Sequence, residues 1–478
     1  MSSGAQPPGD NLLEQILGGP LPPLEAPPPK AKGFIEAFLA EVTPPGQVIS
    51  RSTLDTIEHW QRVVDRKISA QIRAILHHPE VQRLEATWRG LFHLVHNTEE
   101  ENLRLRVLNT TKADLLADKQ EQPAESALMH RLVHDPFHHG VSEPISVLVC
   151  DFAFDHTAND VASLTHLATT AAKAHTLVLA GVSPRFFEVK SFPELARKGD
   201  LVKLLDGPTH VAWRTFRENE DSKFVALTLP RVLARLPYGQ SGREAEEYPL
   251  EEFDGTPQHD QFLWMNAGWL YATHLAQTFT ALGWFSHLGG REGGVPLDLA
   301  TVHTMPAATG FAVFGPTEVE RWPDTLVQQL PQLGFLPVMQ NPGQRDMLYF
   351  QGVQSANKPK KFHDEEATKS SVSAAKLNHL HCACRLAQCV QLLLPLLKKH
   401  GTGVKQAEKT LQEWTQNFVL PESASGTEEE LAWTPLADAV VQIKERKEKA
   451  GGHDIFLHLL PFYGFGDHAA TITLKIPW

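Results

Sequence analysis

Histidines with ligand-like spacing are the first candidates for chemistry in this 478-residue chain. His130, His134 and His138 recur at every fourth residue, which would place three imidazoles on one face of an α-helix, as a helical metal site requires. Pro136 lies between the second and the third histidine and should break the helix there, because its ring clashes with the preceding turn. Two interpretations stay open: weak metal binding near His130, and a solvated loop.

A second group combines histidines and cysteines in one predicted helix: His379, His381, Cys382, Cys384 and Cys389. Cys382 and Cys389 are seven residues apart, about 10 Å along a helix at ~1.5 Å per residue, which is too far for them to share one ion. Both belong to a stripe with alternating spacings of three and four that runs through residues 372–393. This pattern favours a helix that faces the core, in which buried cysteines behave as small hydrophobic residues.

Two glycine-containing stretches resemble enzyme motifs only in part. The glycines of residues 289–294 could surround a phosphate, but the Lys-Ser/Thr pair of a P-loop is missing and the next residues do not open a helix. In residues 239–243 (GQSGR), Ser241 resembles the serine of a nucleophile elbow, although the second glycine comes one place early. A hydrolase that uses Ser241, or a metal-dependent enzyme near His130, is therefore the alternative function.

Composition excludes several classes of protein. At 478 residues the chain is long enough for two or three domains. A content of 42% hydrophobic and 21% charged residues is typical of a globular protein. The net charge of −12, without a lysine and arginine stripe, argues against nucleic acid as the main partner. Four cysteines are too few for a secreted disulfide framework. We find no signal peptide and no run of about 20 apolar residues, so we expect a cytosolic protein without membrane insertion.

The N-terminal fifth combines a proline-rich arm with two amphipathic helices. Residues 1–33 are rich in Pro and Gly, which predicts disorder. A first helix should begin near Ser52 or Thr53 and end at residues 77–79, because the residue before a proline avoids the α region. A second helix should cover residues 80–95. Together the two helices carry more apolar surface than one small domain must bury.

The middle of the chain alternates between strand and helix periodicity. Strands are predicted at 105–108, 145–150 and 177–180; helices at 112–118, 124–133, 160–174, 261–282, 371–394 and 404–418; and a helix followed by two strands within 318–351. Such alternation indicates a mixed α/β layer. We expect residues 358–361 (KPKK) to form an exposed connection between two parts of the chain.

Three strands are predicted at the C-terminus, over residues 440–444, 455–460 and 470–476. The last strand alternates almost without error: Ala470, Ile472, Leu474 and Ile476 on one face, and Thr471, Thr473 and Lys475 on the other. Such a strand buries one face and must satisfy its backbone groups with a neighbour, which can come from its own fold or from another molecule.

Scattered segments resemble, in order, the large sheath subunit of the bacterial type VI secretion system, the TssC/VipB family. They are 34–48 (FIEAFLAEVTPPGQV), 85–95 (EATWRGLFHLV), Phe216-Arg217-Glu218 with Asp221-Ser222, 227–239 (LTLPRVLARLPYG), Gly283-Trp284, Pro316-Thr317-Glu318, Leu333-Gly334-Phe335, and 354–360 (QSANKPK). No single segment is specific, but their order over residues 33–478 is.

The resemblance implies a structural protein that is not an enzyme and needs no cofactor. The expected fold is mixed α/β (α+β), with a core like that of phage tail sheaths, an N-terminal helical extension and a C-terminal β-strand arm. Members of the family pair with a small sheath subunit (TssB/VipA-like) and polymerise as heterodimers in the bacterial cytoplasm. The polymer surrounds an inner-tube protein (Hcp-like) on a baseplate. An AAA+ unfoldase recycles contracted sheath, mainly through the small subunit.

The resemblance also divides the chain and assigns two surfaces. The expected domains are a disordered arm (1–33), a helical region that docks the small subunit (34–100), a sheath core (101–365), and C-terminal helices with a strand arm (366–478). The small-subunit surface is assigned to Ile57, Trp60, Val64, Trp88 and Leu91. Strand exchange between subunits is assigned to Ala470, Thr471, Ile472, Thr473, Leu474, Lys475 and Ile476.

Overall fold

The structure is a computed structural model that describes most of the chain after residue 52. The described residues are 53–98, 103–120, 125–239, 248, 250–254, 257–285, 288, 295–296, 303–307, 310–341, 344–421, 430, 433–446, 452–461 and 471–478. The glycines of 289–294, Ser241 and Ala470 lie outside them, as do residues 1–33.

The helices are α1 (Thr53–Leu76), α2 (Pro79–His96), α3 (Lys112–Gln120), α4 (Ala127–Met129), α5 (Ala158–Ala174), α6 (Phe192–Leu195), α7 (Leu201–Asp206), α8 (Val211–Glu218), α9 (Ala267–Leu282), α10 (Asp324–Gln332), α11 (Glu365–Ala374), α12 (Leu377–Lys399) and α13 (Val404–Gln416). A π-helix, His130–His139, continues α4, and short 3₁₀ turns cover Pro184–Phe187, Pro208–His210, Glu220–Phe224 and His259–Gln261.

The strands are β1 (Val147–Phe154), β2 (Leu177–Val182), β3 (Val225–Leu229), β4 (Val232–Leu233), β5 (Trp264–Met265), β6 (Val295–Pro296), β7 (His303–Ala307), β8 (Gly310–Phe314), β9 (Leu336–Asn341), β10 (Gln344–Phe350), β11 (Leu436–Glu445), β12 (His453–Pro461) and β13 (Ile472–Pro477). The mixed α/β class predicted from the sequence is confirmed.

Contacts divide the chain into two compact units, and the smaller one contains α1 together with residues 236–263 and 305–311. Within it, the hydroxyl of Tyr248 lies 3.1 Å from Ser69 Oγ and donates to the carbonyl of Asp65 at 2.6 Å. One turn further along α1, Arg73 Nε donates to the carbonyl of Glu251 at 2.7 Å. The segment around residues 248–254 is therefore held along α1 by side chains that bond to backbone.

The larger unit is built on a six-stranded sheet in the order β1-β2-β3-β9-β10-β6. The first four strands are parallel, whereas β10 runs antiparallel to both β9 and β6. All residues of β2 and β3 are buried, as expected for parallel strands that are covered on both faces. Helices α5 and α9 both contact the strands at this centre.

An aromatic cluster fills the space beside this sheet. Trp213 is fully buried and stacks on Phe335 with ring centroids 5.4 Å apart, while Phe186 meets both rings edge-on at 5.1 and 5.4 Å. Such geometries complement the quadrupoles of aromatic rings. The cluster joins α8 to the turn that precedes β9.

Two glutamines of α12 close the C-terminal end of α5. Gln388 Nε2 donates to the carbonyls of Ala174 and His175 at 3.0 and 3.1 Å, and Gln391 Nε2 donates to that of Lys173 at 3.0 Å. The carbonyls in the last turn of a helix have no partner within the helix, so side chains that satisfy them stabilise the buried end. The His175 ring in turn bonds through Nδ1 to Gln391 Oε1 at 3.2 Å.

The C-terminal strands form a separate antiparallel sheet in the order β11-β12-β13. Burial along β13 alternates strictly, with Ile472, Leu474 and Ile476 inside. The three predicted strands and this alternation are confirmed. Both β12 and β13 contact α12, which is the core-facing helix that the stripe of residues 372–393 predicted.

Two predictions for residues 105–138 are wrong. Residues 105–108 form no strand and are exposed; among the described residues no strand pairs with them, and an unpaired strand is not stable. Pro136 does not end the helix at the histidines. The chain widens to a π-helix, in which Gly140 N–H donates to the carbonyl of Asp135, five residues back, and the wider turn accommodates the proline.

Tertiary contacts also override two predicted helix limits. The helix expected from residue 261 begins only at Ala267, because Asn266 caps it by accepting a hydrogen bond from Gly268 N at 2.8 Å and the preceding residues pair as β5 with β4. The single helix expected over 371–394 is two helices. Between them, the Ala375 carbonyl accepts from Ser355 N at 3.0 Å, which pulls this turn out of the helix.

One described helix, α12, is long and apolar enough by composition to cross a membrane, which differs from our expectation that no such run exists. Of its most apolar window, 56% is buried within the fold. The buried face packs on β12 and β13, as in the core helix of a globular domain.

Two buried histidines predict a loss of stability in acid. Burial lowers the pKa of His175 to about 4 and that of His381 to about 3. In the unfolded chain both titrate near 6.5. Below that pH the unfolded state binds protons that the folded state excludes, so the free energy of unfolding should fall from pH 6.5 towards pH 4, by about 1.4 kcal/mol per pH unit for each histidine.

Urea unfolding of the purified chain at several pH values measures this slope. The variant His175→Asn, which tolerates the positive φ of 50° at this position, should lower the slope, whereas His400→Asn, at an exposed position, should leave it unchanged. Equal slopes in all three proteins would contradict the assignment.

Candidate functional site

The buried guanidinium of Arg217, on α8, connects three parts of the larger unit. Its Nε donates to the carbonyl of Ala356 at 3.1 Å and its Nη2 to that of Gln332 at 2.7 Å, while the guanidinium lies 5.9 Å from the ring centre of Trp213. Burial lowers the pKa of Arg217 to about 10, which still leaves it charged at neutral pH. The planar fork can hold two carbonyls at once, which a lysine cannot do.

Asn357 and Lys358 add further bonds between the same segments. Asn357 Nδ2 donates to the carbonyls of Arg217 and Asn219 at 3.2 and 3.0 Å and to Ser222 Oγ at 3.0 Å. Lys358 N donates to the Arg217 carbonyl at 2.8 Å. Segments 216–222 and 354–360, separated by more than 130 residues of sequence, therefore form one joint.

Gly334 belongs to the same joint for a steric reason. Its φ is +88°, and a Cβ at this position would lie 2.8 Å from the Ala356 carbonyl oxygen and 2.9 Å from Arg217 Nε. Only glycine fits both the backbone conformation and the space. Three of the segments that carry the family resemblance thus meet at one structural centre, around Arg217.

Two other segments that carry the family resemblance, 227–239 and 316–318, meet at an ion pair. Arg231 Nε and Nη2 donate to the two carboxylate oxygens of Glu318 at 2.9 and 2.7 Å, and Arg231 N donates to Glu318 Oε2 at 3.0 Å. The Glu318 side chain is fully buried. The bidentate geometry fixes the loop after β3 against the loop after β8.

The residues expected to bind a small subunit lie on α1 and α2. Trp60 and Val64 are half-buried on α1, and the side chain of Ile57 lies outside the described residues. On α2, Trp88 is 62% exposed, whereas Leu91 is less exposed and half-buried.

Three exposed apolar residues of α2 were missing from that assignment: Leu84, which is 53% exposed, Phe92 and Val95. Phe92 and Val95 lie four and seven residues after Trp88 and are 66% and 50% exposed. On the opposite side of the helix, Gly90 is buried so closely against Trp269 that a Cβ would lie 2.3 Å from the indole. We name the exposed residues Trp88, Phe92 and Val95 the α2 ridge; their spacing of four and three could have been read from the sequence.

Within this chain, strand β13 pairs with β12. Trp478 N donates to the carbonyl of His453 at 3.0 Å, and the register places Ile476 opposite Ile455 and Leu474 opposite Leu457. Because hydrogen-bonded pairs alternate in an antiparallel ladder, the backbone groups of Thr473 and Lys475 point to the outer edge of the sheet.

Asp454 holds the three C-terminal strands together through charge. Its buried carboxylate accepts from Arg446 Nε at 2.6 Å and from Lys475 Nζ at 2.8 Å. Burial alone would raise the pKa of Asp454, but the hydrogen bonds from Lys475 and Arg446 outweigh it and lower the pKa below its ordinary value.

The candidate metal ligands do not form a metal site within the described part of the chain, where no group of three or more His, Cys, Asp or Glu residues could hold an ion. His134 and His138 bring their Nδ1 atoms to 2.8 Å in the π-helix, and burial together with the neighbouring histidines lowers the pKa of His134. Burial raises the pKa of Cys382 to about 12 and raises that of Cys384 further still. Both thiols therefore stay protonated and unreactive.

Comparisons with known proteins place this arrangement in a structural class, the contractile tail sheaths. Residues 59–357 match the VipB family model, described as EvpB/VC_A0108, tail sheath N-terminal domain, and residues 366–476 match the VipB_2 model, described as EvpB/VC_A0108, tail sheath gpW/gp25-like domain. The chain is also 32% identical over 437 residues to the type VI secretion system sheath protein TssC1 of Pseudomonas aeruginosa, covering 90% of this chain and 86% of that protein.

This chain therefore belongs to the VipB family of type VI secretion sheath proteins, and the resemblance inferred from the sequence is confirmed. It is a structural sheath subunit, and the comparisons do not support the alternative of a hydrolase or metal enzyme.

The Arg217 joint predicts a sharp difference between two conservative substitutions. Arg217→Lys should lower the free energy of unfolding by about 2 kcal/mol, because one buried carbonyl loses its donor. The exposed control Arg185→Lys should change it by less than about 0.5 kcal/mol. Thermal unfolding and resistance to limited proteolysis measure both; equal behaviour of the two variants would show that the joint is not important for stability.

Proposed function

We propose that this chain pairs with a small sheath subunit and that the heterodimers stack into a helical tube in the bacterial cytoplasm. The tube surrounds an inner-tube protein, which contraction expels from a baseplate, and an AAA+ unfoldase recycles the contracted sheath. The proposed domains are those predicted from the sequence, with boundaries at residues 33, 100 and 365. The second family model begins at residue 366, beside the last of these boundaries.

The α2 ridge supports a small-subunit surface on this part of the chain. Trp88, Phe92 and Val95 present a continuous apolar strip to solvent on a helix whose other face is already buried. A helix that is solvated on one face normally carries polar residues there. An apolar strip of this length fits the groove or apolar face of a partner helix. Trp60 and Val64 of α1, on the smaller unit, are proposed separately as small-subunit contacts, as the sequence predicted.

Charged substitutions on the α2 ridge should abolish pairing without unfolding the chain. Trp88→Glu with Phe92→Glu removes apolar contact area and would bury two unpaired carboxylates, so recovery of the co-expressed small subunit in a pull-down should fall at least tenfold.

The control is Val141→Glu, at an apolar residue that is 73% exposed elsewhere on the larger unit. It should retain the partner. Equal recovery with the ridge variant and this control, at unchanged melting temperatures, would rule out the ridge as the docking surface.

The observation that supports polymerisation is the outer edge of β13. Its backbone groups at Thr473 and Lys475 point away from β12, and no described residue bonds to them. An edge of this kind adds a strand from another chain through ordinary ladder hydrogen bonds. Such a link persists while rigid cores rotate, which contraction requires.

Deleting residues 470–478 would test strand exchange poorly, since it would uncover the core that Ile472, Leu474 and Ile476 bury. Thr473→Pro is sharper, because the only backbone group it removes is the outward N–H, and the hydroxyl that bonds to His458 Nδ1 at 2.9 Å is lost equally in an alanine variant. On co-expression with the small subunit, we expect soluble heterodimers and no tubes by negative-stain electron microscopy. Thr473→Ala, which keeps the N–H, should form tubes, and normal tubes from the proline variant would refute the link.

A further inference from the structure

The C-terminal sheet has a second edge, strand β11, and three of its outward backbone groups are already occupied. They are the carbonyl of Ala439 and the N–H groups of Val441 and Ile443. Their partners are side chains of helix α13, not another strand.

The central contact imitates a neighbouring strand. Gln412 Nε2 donates to the Ala439 carbonyl at 2.8 Å, and Gln412 Oε1 accepts from Val441 N at 2.7 Å. One side-chain amide thus makes both hydrogen bonds that a residue of a parallel strand would make around Val440. A strand added from outside would have to displace this amide.

Two further side chains extend the contact along the edge. Glu408 Oε2 accepts from Ile443 N at 2.8 Å, and Gln416 Nε2 donates to the Ala439 carbonyl at 3.0 Å. Glu408, Gln412 and Gln416 are four residues apart, a repeat of about 6.0 Å along a helix. Outward groups repeat every two residues on a strand, about 6.7 Å, so the two spacings match over this short length.

The two edges of the sheet therefore differ in kind. At β13 the outward groups of Thr473 and Lys475 have no partner within the described residues, whereas at β11 Glu408, Gln412 and Gln416 occupy three outward groups. We propose that α13 is a strand mimic that closes the β11 edge, so that strands from other sheath subunits add only at β13. This gives the polymer one direction of growth, and it rests on the proposed strand exchange.

Hydrogen exchange on the unassembled heterodimer tests the closure directly. In the wild type, the amides of Val441 and Ile443 should be protected. In the variant Glu408→Ala, Gln412→Ala, Gln416→Ala, they should exchange at least tenfold faster. The matched control is Lys409→Ala with Glu413→Ala, an exposed ion pair on the same helix. Exchange in the triple variant that equals exchange in this control would overturn the proposal.

A second experiment tests whether an opened β11 edge associates with other subunits. Combined with Thr473→Pro, which blocks the β13 edge, the triple variant should self-associate through the opened β11 edge, whereas Thr473→Pro alone should sediment as a heterodimer. A combined variant that sediments as a heterodimer would overturn the proposal that α13 guards this edge.

The two experiments separate this inference from the proposed function. If Thr473→Pro alone builds tubes, strand exchange at β13 is wrong, and the single direction of growth is wrong with it. The closure of β11 itself is still decided by the exchange rates, because they are measured without assembly.

Discussion

The buried Arg217 guanidinium is the contact on which the larger unit depends. It holds the carbonyls of Gln332 and Ala356 and covers Trp213, so that one side chain ties α8 to the turn before β9 and to the chain that leaves β10. A guanidinium buried in this way must have acceptors, because an unpaired buried charge costs several kcal/mol. Every segment that supplies an acceptor is therefore fixed relative to the sheet, and the steric demand on Gly334 follows from the same crowding.

This rigid centre explains how the chain can act as a mechanical part. Pairs such as Arg231 with Glu318, and the glutamines that cap α5, satisfy buried polar groups between segments that are distant in sequence. Polar networks of this kind have discrete geometries and resist gradual deformation. In the proposed sheath, a subunit built in this way would move as a rigid body during contraction, and the α2 ridge and the β13 edge are the surfaces proposed for contacts with other chains.

The C-terminal sheet shows how the same hydrogen-bonding demand can be met in two ways. Backbone groups at a sheet edge need partners. At β11 the helix α13 supplies partners for three groups from within the chain, whereas at β13 the groups of Thr473 and Lys475 point away from β12 and are the proposed site for a strand of another subunit. In the proposed assembly, the difference between these two edges decides where a strand from another subunit adds.

The sequence by itself determined the features that depend on local pattern. They are the two N-terminal helices with their break before Pro79, the strands at 145–150 and 177–180, the core-facing stripe of α12, the alternation of β13 and, through ordered motifs, the family. It could not determine features set by distant partners. The strand expected at 105–108 lacked a neighbour, Pro136 was absorbed by a π-helix, and the helix after residue 371 was divided by a hydrogen bond from Ser355. The meeting of the motifs at Arg217 and the closure of β11 by Gln412 were likewise decided only in the tertiary structure, because a hydrogen bond between residues far apart in sequence leaves no local period.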